Sequence, residues 1–280
     1  MNAIEVISPA KINIGLNIIS KRNDGYHNLE TIFYPIHDLN DNLRFIKSDK
    51  LEFKSNCGEL KHDSSNLILK AVQLLEKNSH KKFHLKININ KKIPIGAGLG
   101  GGSSNAAFTL KAINKLFNLN YTQQQLRSLA LELGSDIPFF ITPKPSFAWS
   151  RGELIRPIKL KINYPILIVY PGINISTKEV FLNITPSTTK LNLEKLVSNS
   201  FWDIEKWKLD ITNDFEQQMF QKYPILQKLK KHMYKSGALF AQMTGTGSAI
   251  YGIFKDLECI KNSYKSLNKE YFKFISSPII

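Results

Sequence analysis

Residues 94–104 read Pro-Ile-Gly-Ala-Gly-Leu-Gly-Gly-Gly-Ser-Ser, and glycine occupies five of the seven positions from 96 to 102. Glycines take side chains away from the backbone, so that neighbouring N–H groups can converge on an anion. A helix is predicted directly after them, and its N-terminal dipole adds to the attraction for phosphate. Between Lys77 and Leu131 the sequence has no Asp or Glu that would repel a polyphosphate. We interpret this stretch as a phosphate-binding loop, in preference to a purely structural strand-to-helix turn.

The glycine loop fits neither of two common nucleotide-binding patterns. Its Gly96-x-Gly98-x-x-Gly101 spacing matches the dinucleotide fingerprint, but the acidic residue expected about 20 positions further on is missing. A Walker loop would end in Gly-Lys-Ser or Gly-Lys-Thr, whereas Gly102-Ser103-Ser104 contains no lysine. Both patterns are therefore excluded.

The segments that flank the loop have clear hydrophobic periodicities. Apolar residues alternate from 83 to 89 and predict a strand that leads into the loop. Apolar residues spaced by three and four between 106 and 117 predict a helix that leaves it. Ser103 and Ser104 stand where the N-cap of this helix belongs.

The rest of the chain predicts strands mixed with helices. A second helix is well marked, because Thr122-x-x-Gln125 is a capping box and Gly134 ends the pattern. Without strict βαβ alternation, this mixture predicts an α+β chain of two lobes, which we divide into residues 1–155 and 156–280. Further predictions are a half-buried strand at 12–18, a turn at Asn23-Asp24-Gly25, a helix at 67–77, a strand at 166–170, helices at 190–198, 213–222 and 224–235, and a strand at 250–254.

Composition limits the possible classes of protein. The chain has 280 residues, of which 42% are hydrophobic and 22% charged, as in ordinary globular proteins. We expect a cytoplasmic protein, since neither a membrane-spanning run nor a signal peptide is recognisable in the sequence. Cys57 and Cys259 are far apart and have no neighbouring His, so neither a disulfide framework nor a zinc site is predicted. The net charge of +15 is spread along the chain and leaves nucleic acid, anionic membranes, polyanionic substrates and mere compositional drift open.

The loop resembles the signature of the GHMP kinases, in the longer glycine-rich form of the diphosphocytidyl-methylerythritol kinases. Other blocks follow in the order of that family, and together they are far more specific than any one of them. These blocks are Ser8-Pro9-Ala10-Lys11-Ile12-Asn13, Asp24-Gly25-Tyr26-His27, Gly134-Ser135-Asp136-Ile137-Pro138-Phe139-Phe140, Tyr170-Pro171-Gly172 with Ser176-Thr177 and Phe181, Asn213-Asp214-Phe215-Glu216, and Gly245-Thr246-Gly247-Ser248.

This resemblance implies a fold and a reaction. The fold would be the two-lobed α+β GHMP arrangement, with an N-terminal ATP-binding domain that carries the glycine loop and a C-terminal domain that closes the acceptor side. The reaction would transfer the γ-phosphate of ATP to the 2-hydroxyl of 4-diphosphocytidyl-2-C-methyl-D-erythritol, a step of non-mevalonate isoprenoid precursor biosynthesis. A small cytidine diphosphate-linked molecule would thus be the binding partner, and no nucleic acid, membrane or obligate protein partner is expected.

The resemblance also implies roles for individual residues. Asp136 would accept or orient the proton of the acceptor hydroxyl, and Lys11 would stabilise charge on the transferred group. Mg²⁺ would bridge the phosphates of ATP; Ser103 or Ser104 could reach the ion, but helix capping is an equal alternative and no metal ligand is named. ATP would bind Pro94, Ile95, Gly96, Ala97, Gly98, Leu99, Gly100, Gly101, Gly102, Ser103 and Ser104, with Asn66 against adenosine. The acceptor would contact Asn13, Tyr26, His27, Thr177 and Phe181, with cytosine between the rings of Tyr26 and Phe181 and hydrogen-bonded to His27.

Three other functions compete with this one. A GHMP kinase for another small alcohol, such as homoserine or mevalonate, would keep the fold but is disfavoured by the block at 24–27 and the triple glycine. A basic α+β RNA-binding protein would account for the net charge and would show steeply salt-dependent binding without phosphate transfer. An inactive nucleotide-binding regulator is disfavoured because Lys11 and Asp136 are both present.

Overall fold

A computed structural model describes residues 2–60, 62–182, 184–186, 193 and 203–278. These residues fall into two compact units. Unit 1 comprises Met1–Ala10, Leu39–Ile95 and Gly100–Pro143, and unit 2 comprises Lys11–Asp38, Gly96–Leu99 and Lys144–Ile280. No single cut along the chain separates the units, because the first two strands contribute residues to both. The division into domains at 155/156 stays a prediction, and the helix predicted at 190–198 lies outside the described residues except for Leu193.

The described residues form an α+β fold, as predicted. The strands are β1 Ala3–Lys21, β2 His27–Lys47, β3 Glu52–Ser55, β4 Leu85–Asn90, β5 Ser146–Ser150, β6 Leu154–Pro157, β7 Ile166–Tyr170, β8 Ala238–Met243, β9 Ile250–Phe254 and β10 Phe272–Ser276. The helices are α1 Leu67–Ser79, α2 Gly101–Leu116, α3 Gln123–Leu133, α4 Ile137–Ile141, α5 Thr177–Leu182, α6 Ile204–Asp210, α7 Phe215–Lys222, α8 Pro224–Lys235 and α9 Leu257–Ser266.

Unit 1 contains the strand β4, which leads into the glycine loop, and a group of helices that pack on one another. The C-terminal part of β2 pairs antiparallel with β4, and β4 pairs parallel with β3. Helix α2 packs against α1, α3 and α4. The capping box that opens α3 is present, with the Thr122 side chain accepting from the Gln125 N–H and the Gln125 side chain accepting from the Thr122 N–H. This packing fixes the helix that follows the glycine loop.

Unit 2 contains a four-stranded antiparallel sheet in the order β10-β7-β9-β8. Its core brings together Leu167 and Val169 of β7, Phe215 of α7, Met233 of α8 and Phe254 of β9, all fully buried. The N-terminal part of β2 pairs antiparallel with β5, which pairs antiparallel with β6. Buried strand β9 is apolar throughout, as its continuous hydrophobic sequence predicts.

The expectation that strand 12–18 is half-buried is wrong. The strand is part of β1, as its period of two indicates, but both of its faces are buried from Ser8 to Ile18. Lys11, Asn13 and Asn17 on the polar face are only 2–3% exposed. Buried polar groups persist where they are hydrogen-bonded, and the Asn13 Nδ2 donates to Thr31 Oγ1 at 2.9 Å. A polar residue in an alternating strand therefore does not identify a solvent face here.

The expected cap of α2 also needs correction. Neither Ser103 nor Ser104 caps this helix, because its N-cap is Gly100 with φ +70° and no side-chain capping bond. The N–H of Ser104 donates to the carbonyl of Gly100 at 2.9 Å. Glycine adopts a positive φ without the Cβ penalty of other residues, so the helix can begin inside the glycine run. Both serines are therefore residues of the helix itself, and capping does not occupy their hydroxyls.

Candidate active site

Lys11 is a buried lysine on β1 with several partners in unit 2. Only 3% of its surface is exposed. Its ammonium group donates to Asn13 Oδ1 and lies 5.1 Å from the centre of the Phe33 ring, a favourable distance for a cation over an aromatic face. Its backbone N–H donates to the carbonyl of Leu99, at the end of the first half of the glycine loop, at 2.9 Å. Lys11 is therefore not a surface lysine.

Asn13 is held rigidly by contacts to all of its polar atoms. Its backbone N–H donates to Thr244 Oγ1 at 3.0 Å, and its carbonyl accepts from the Tyr251 hydroxyl at 3.0 Å. The side chain bridges Lys11 and Thr31. Fixed orientation of this kind is what a residue at a reaction centre requires.

The first half of the glycine loop, residues 96–99, packs against a loop before β9. We name residues 244–248, Thr-Gly-Thr-Gly-Ser, the threonine–glycine loop. Gly98 has φ +77°, and a Cβ on it would collide with the carbonyl oxygen of Thr244. The carbonyl of Ala97 accepts from the N–H of Ala249 at 3.1 Å. Gly98 is therefore required for close packing of two backbones, a reason that the anion-binding interpretation of the glycines did not include.

The Asn213–Glu216 block anchors the threonine–glycine loop. Asn213 Nδ2 donates to the carbonyls of Met243 and Gly245, both at 2.8 Å. Glu216 Oε1 accepts from the N–H of Met243 at 2.9 Å, while its other oxygen pairs with Lys230 at 2.6 Å. Glu216 is in the first turn of α7 and Asn213 lies just before the helix, so this segment fixes the loop that packs on Gly98.

The second half of the glycine loop, residues 100–104, opens α2 in unit 1. Gly102 is exposed and a Cβ on it would meet only Leu67 Cδ1, at 3.6 Å. Ser104 Oγ is fully buried and has no hydrogen-bond partner in the described part of the chain. Asn66 caps α1, with its side chain accepting from the N–H of Ile68 at 2.9 Å; its contact with adenosine stays a prediction. Free N–H groups of α2 and one buried hydroxyl are thus available for a ligand.

His27 lies beside Phe181 in unit 2. The two ring centroids are 5.6 Å apart and their planes are tilted by 37°. His27 is 5% exposed, yet neither of its ring nitrogens has a hydrogen-bond partner among the described residues. Burial lowers the pKa of His27, and the nearby charge of Lys21 lowers it further. The imidazole is therefore neutral at neutral pH, with one donor and one acceptor unused.

Among the three predicted acceptor-binding rings, those of Tyr26, His27 and Phe181, that of Tyr26 is exposed, with 53% of the residue surface accessible. It ends the predicted turn, where its N–H donates to Asp24 Oδ1 at 3.1 Å. The Arg151 guanidinium lies 4.7 Å from its ring centre. Sequence reasoning missed Arg151, because nothing local distinguishes it from other turn arginines. Thr177 is also exposed, and its hydroxyl is 3.2 Å from that of Thr246.

Asp136 is the residue before α4 in unit 1. Its backbone occupies the N-cap position with φ −80° and ψ −15°, but its side chain makes no capping hydrogen bond. The side chain of Asp136 therefore does not cap α4. The carboxylate is half-buried, and its pairing with Lys11 in catalysis stays a prediction.

Two kinds of feature are absent from the residues that the structure describes. Within the described ranges, no cluster of three or more His, Cys, Asp or Glu side chains could hold a metal ion. No helix in those ranges combines the length and the apolar composition that crossing a membrane requires.

Comparison with known proteins identifies the relatives of this chain. The sequence model described as "GHMP kinases N terminal domain" matches residues 66–144, and "GHMP kinases C terminal" matches residues 194–273. The 4-diphosphocytidyl-2-C-methyl-D-erythritol kinase of Azobacteroides pseudotrichonymphae is 43% identical over 248 residues, covering 88% of this chain and 91% of that protein.

Solved structures agree with this result. A crystal structure of 4-(cytidine 5'-diphospho)-2C-methyl-D-erythritol kinase matches with a TM-score of 0.80 and 28% identity, over 97% of this chain and 98% of that one. Homoserine kinase from Cytophaga hutchinsonii matches with a TM-score of 0.73 and 17% identity, over 99% and 95% of the two chains. The second likeness shows a shared fold only.

Proposed function

Because this chain belongs to the 4-diphosphocytidyl-2-C-methyl-D-erythritol kinases within the GHMP kinase family, we propose that it transfers the γ-phosphate of ATP to the 2-hydroxyl of 4-diphosphocytidyl-2-C-methyl-D-erythritol. The products would be the 2-phosphate and ADP. Relatives of that name cover nearly the whole chain at about 40% identity, which supports this acceptor over homoserine or mevalonate.

The buried His27 carries the argument for a cytidyl acceptor. A neutral imidazole with two unpaired nitrogens in an apolar setting is costly unless a ligand pairs with it. Cytosine offers an amino donor and a ring nitrogen acceptor on one edge, and either group can pair with one of the two imidazole nitrogens, which point away from each other. Phe181 beside the imidazole and the exposed ring of Tyr26 offer flat surfaces for a base. Homoserine and mevalonate contain no flat heterocycle that would use these groups.

Phosphoryl transfer depends on positioning and on charge stabilisation more than on covalent chemistry of the protein. Lys11 would stabilise negative charge on the transferred group, a role supported by its burial and by the hydrogen bond that fixes it to Asn13. Asp136 would accept or orient the proton of the 2-hydroxyl, a role that suits a half-buried carboxylate directly before α4. Asn13 and Thr177 would contact the acceptor.

ATP would bind along residues 94–104, with Asn66 near adenosine. The free N–H groups at the start of α2 and the exposed Gly102 suit a phosphate. Mg²⁺ keeps water and phosphate ligands and needs few protein oxygens, so the lack of an acidic cluster in the described residues is compatible with it. The unpartnered Ser104 Oγ is the oxygen that we propose for the ion. When bound, Mg²⁺ would neutralise charge on the phosphates. A cytoplasmic location fits the dependence on ATP.

The test is ADP release from ATP and Mg²⁺ with a panel of acceptors. The panel holds 4-diphosphocytidyl-2-C-methyl-D-erythritol, the unactivated methylerythritol monophosphate, mevalonate and homoserine. We expect turnover with the cytidyl compound alone, and a loss of about 100-fold or more in kcat in Asp136→Ala. Turnover with mevalonate or homoserine would keep the fold and refute the acceptor. No turnover with any acceptor, together with salt-dependent RNA binding, would refute the kinase proposal.

A further inference from the structure

Asp41 of β2 is the centre of a buried polar cluster in unit 1. Its side chain is fully buried, and both carboxylate oxygens are paired twice. Oδ1 accepts from the backbone N–H groups of Lys92 at 2.7 Å and Ile93 at 2.9 Å. Oδ2 accepts from Lys91 Nζ at 2.5 Å and from Asn105 Nδ2 at 2.9 Å. We call Ser8, Asp41, Lys91 and Asn105 the Asp41 cluster.

The partners of Asp41 lie on both sides of the glycine loop. Residues 91–93 are the chain that enters the loop, and Asn105 is in the second turn of the helix that leaves it. Asn105 Nδ2 also donates to Ser8 Oγ at 2.8 Å, and the Ser8 hydroxyl donates to the carbonyl of Asp41 at 3.4 Å. One carboxylate thus joins the two ends of an eleven-residue segment, 94–104, that itself contains five glycines.

The Asp41 cluster also explains why residue 101 is a glycine. A Cβ on Gly101 would lie 2.8 Å from Lys91 Nζ and 2.9 Å from Ile93 Cγ2. The Lys91–Asp41 ion pair therefore packs directly against the backbone at the start of α2. Lys91 also neutralises the charge of Asp41. Without this lysine, a buried carboxylate close to the phosphate-binding backbone would repel an anion.

We propose that Asp41 is the positioning residue of the glycine loop. It hydrogen-bonds to residues at both ends of the segment 94–104, so that the backbone N–H groups of this segment are pre-organised for the phosphates of ATP. The inference deepens the proposed function, since it rests on ATP binding at this loop. Glycine-rich segments lose more conformational freedom on ordering than any others. Fixing the ends in advance reduces the freedom that ATP binding must remove and so raises the affinity for ATP.

The test compares Asp41→Asn with a matched control, Glu76→Gln. Asparagine keeps the size of the side chain and one carbonyl acceptor but removes the charge that pairs with Lys91. Glu76 is likewise a carboxylate of unit 1 that accepts from a backbone N–H, that of Phe83 at 2.8 Å, and from a lysine, Lys82 at 3.2 Å. It differs in lying away from the glycine loop in the sequence. The measurements are hydrogen–deuterium exchange of unliganded protein and the Kd for ATP and for the acceptor.

We expect Asp41→Asn to raise the exchange rate of amides 95–104 and the Kd for ATP by about tenfold each. The Kd for the acceptor should stay unchanged, and Glu76→Gln should behave as wild type in both readouts. Unchanged exchange in residues 95–104, or an equal increase in α1 and α3, would overturn the proposal.

A second variant covers the case in which Asp41→Asn does not fold. Asn105→Ala removes the link to α2 and leaves the Asp41–Lys91 pair intact, so it should raise exchange in 100–104 more than in 95–97. Uniform exchange across the loop in Asn105→Ala would also overturn the proposal. Hydrogen exchange needs no turnover, so the positioning role of Asp41 is tested separately from the proposed reaction. ATP that binds without any phosphate transfer would refute only the proposed reaction.

Discussion

The hydroxyl of Thr244 and the backbone N–H of Asn13 meet at 3.0 Å in the interior of unit 2, although 231 positions separate the two residues. The same hydroxyl lies 3.3 Å from the carbonyl oxygen of Gly98. One threonine side chain therefore connects the strand of Lys11, the threonine–glycine loop and the first half of the glycine loop. We expect substitutions along this connection to affect stability and activity together.

Thr244→Val keeps the shape of the side chain and removes its hydroxyl. The N–H of Asn13 would then be buried without a partner, which should lower the free energy of unfolding by about 1–3 kcal/mol. Because Asn13 would lose its fixed position, kcat should fall as well. Urea unfolding and steady-state kinetics measure both effects. Thr244→Ser keeps the hydroxyl and should remain close to wild type; an equal loss in the serine variant would contradict the role of the hydrogen bond.

Gly98→Ala and Gly102→Ala separate two reasons for glycine in one loop. Gly98 has φ +77°, and a Cβ there would collide with the Thr244 carbonyl, so alanine should cost at least about 2 kcal/mol of stability. Gly102 is an exposed helical residue with room for a Cβ, so alanine should be neutral or stabilising by up to about 1 kcal/mol. Any rise of the KM for ATP in Gly102→Ala would then reflect a clash between the added Cβ and bound ATP, because the fold itself has room for this atom. Equal unfolding free energies of the two variants would refute this distinction.

His27 should make acceptor binding dependent on pH only in the acid range. Burial holds its pKa below the ordinary 6.5, so the folded protein keeps a neutral imidazole where an unfolded histidine is already protonated. Its contribution to stability therefore declines as the pH falls below 6.5, because the unfolded state binds the proton first. The KM for the acceptor should be constant from about pH 8 to 6.5 and rise below the lowered pKa.

His27→Gln is the control for this pH dependence. Glutamine supplies one donor group and one acceptor without titrating. Its acceptor KM should be higher than that of wild type but independent of pH between about 5 and 8. The same acid rise in the glutamine variant would show that another group is responsible.

Tyr26→Ala should raise the KM for the acceptor while leaving that for ATP within about twofold of wild type. Stacking of a base on an aromatic ring contributes about 1–3 kcal/mol, which corresponds to a rise of about 5- to 150-fold. Tyr26→Phe retains the ring and the surface that Arg151 covers, so it should stay near wild type. Steady-state kinetics with each substrate varied in turn measures the KM for the acceptor and the KM for ATP. Equal changes in both KM values would count against a stacked cytosine.

Much of the fold could be predicted because its signals are local. The capping box at Thr122 and Gln125, the turn at Asp24-Gly25 and the apolar strand β9 depend on neighbouring residues, and all three are present. The family could also be predicted, since several short blocks follow one another in a fixed order. The residues themselves indicated phosphate binding; the acceptor and the catalytic roles came from the resemblance.

Asp41 shows what such reasoning overlooks. On β2 it shares a face with Leu39, Leu43 and Phe45, all buried, so the period of two already indicated that its carboxylate points into the interior. This signal is easily missed, because an aspartate in a strand is ordinarily assigned to the solvent face. A charged residue on the apolar face of an alternating strand indicates a buried partner, here Lys91.

The sequence by itself determined the secondary structure around the glycine loop and the family, because periodicity, capping and motif order are properties of neighbouring positions. Only the tertiary structure decided that the polar face of β1 is buried, that Gly100 opens α2, and that Gly98 and Gly101 make room for Thr244 and Lys91. Burial and close packing depend on atoms contributed by residues far away in the chain, and no local pattern specifies which residues those are.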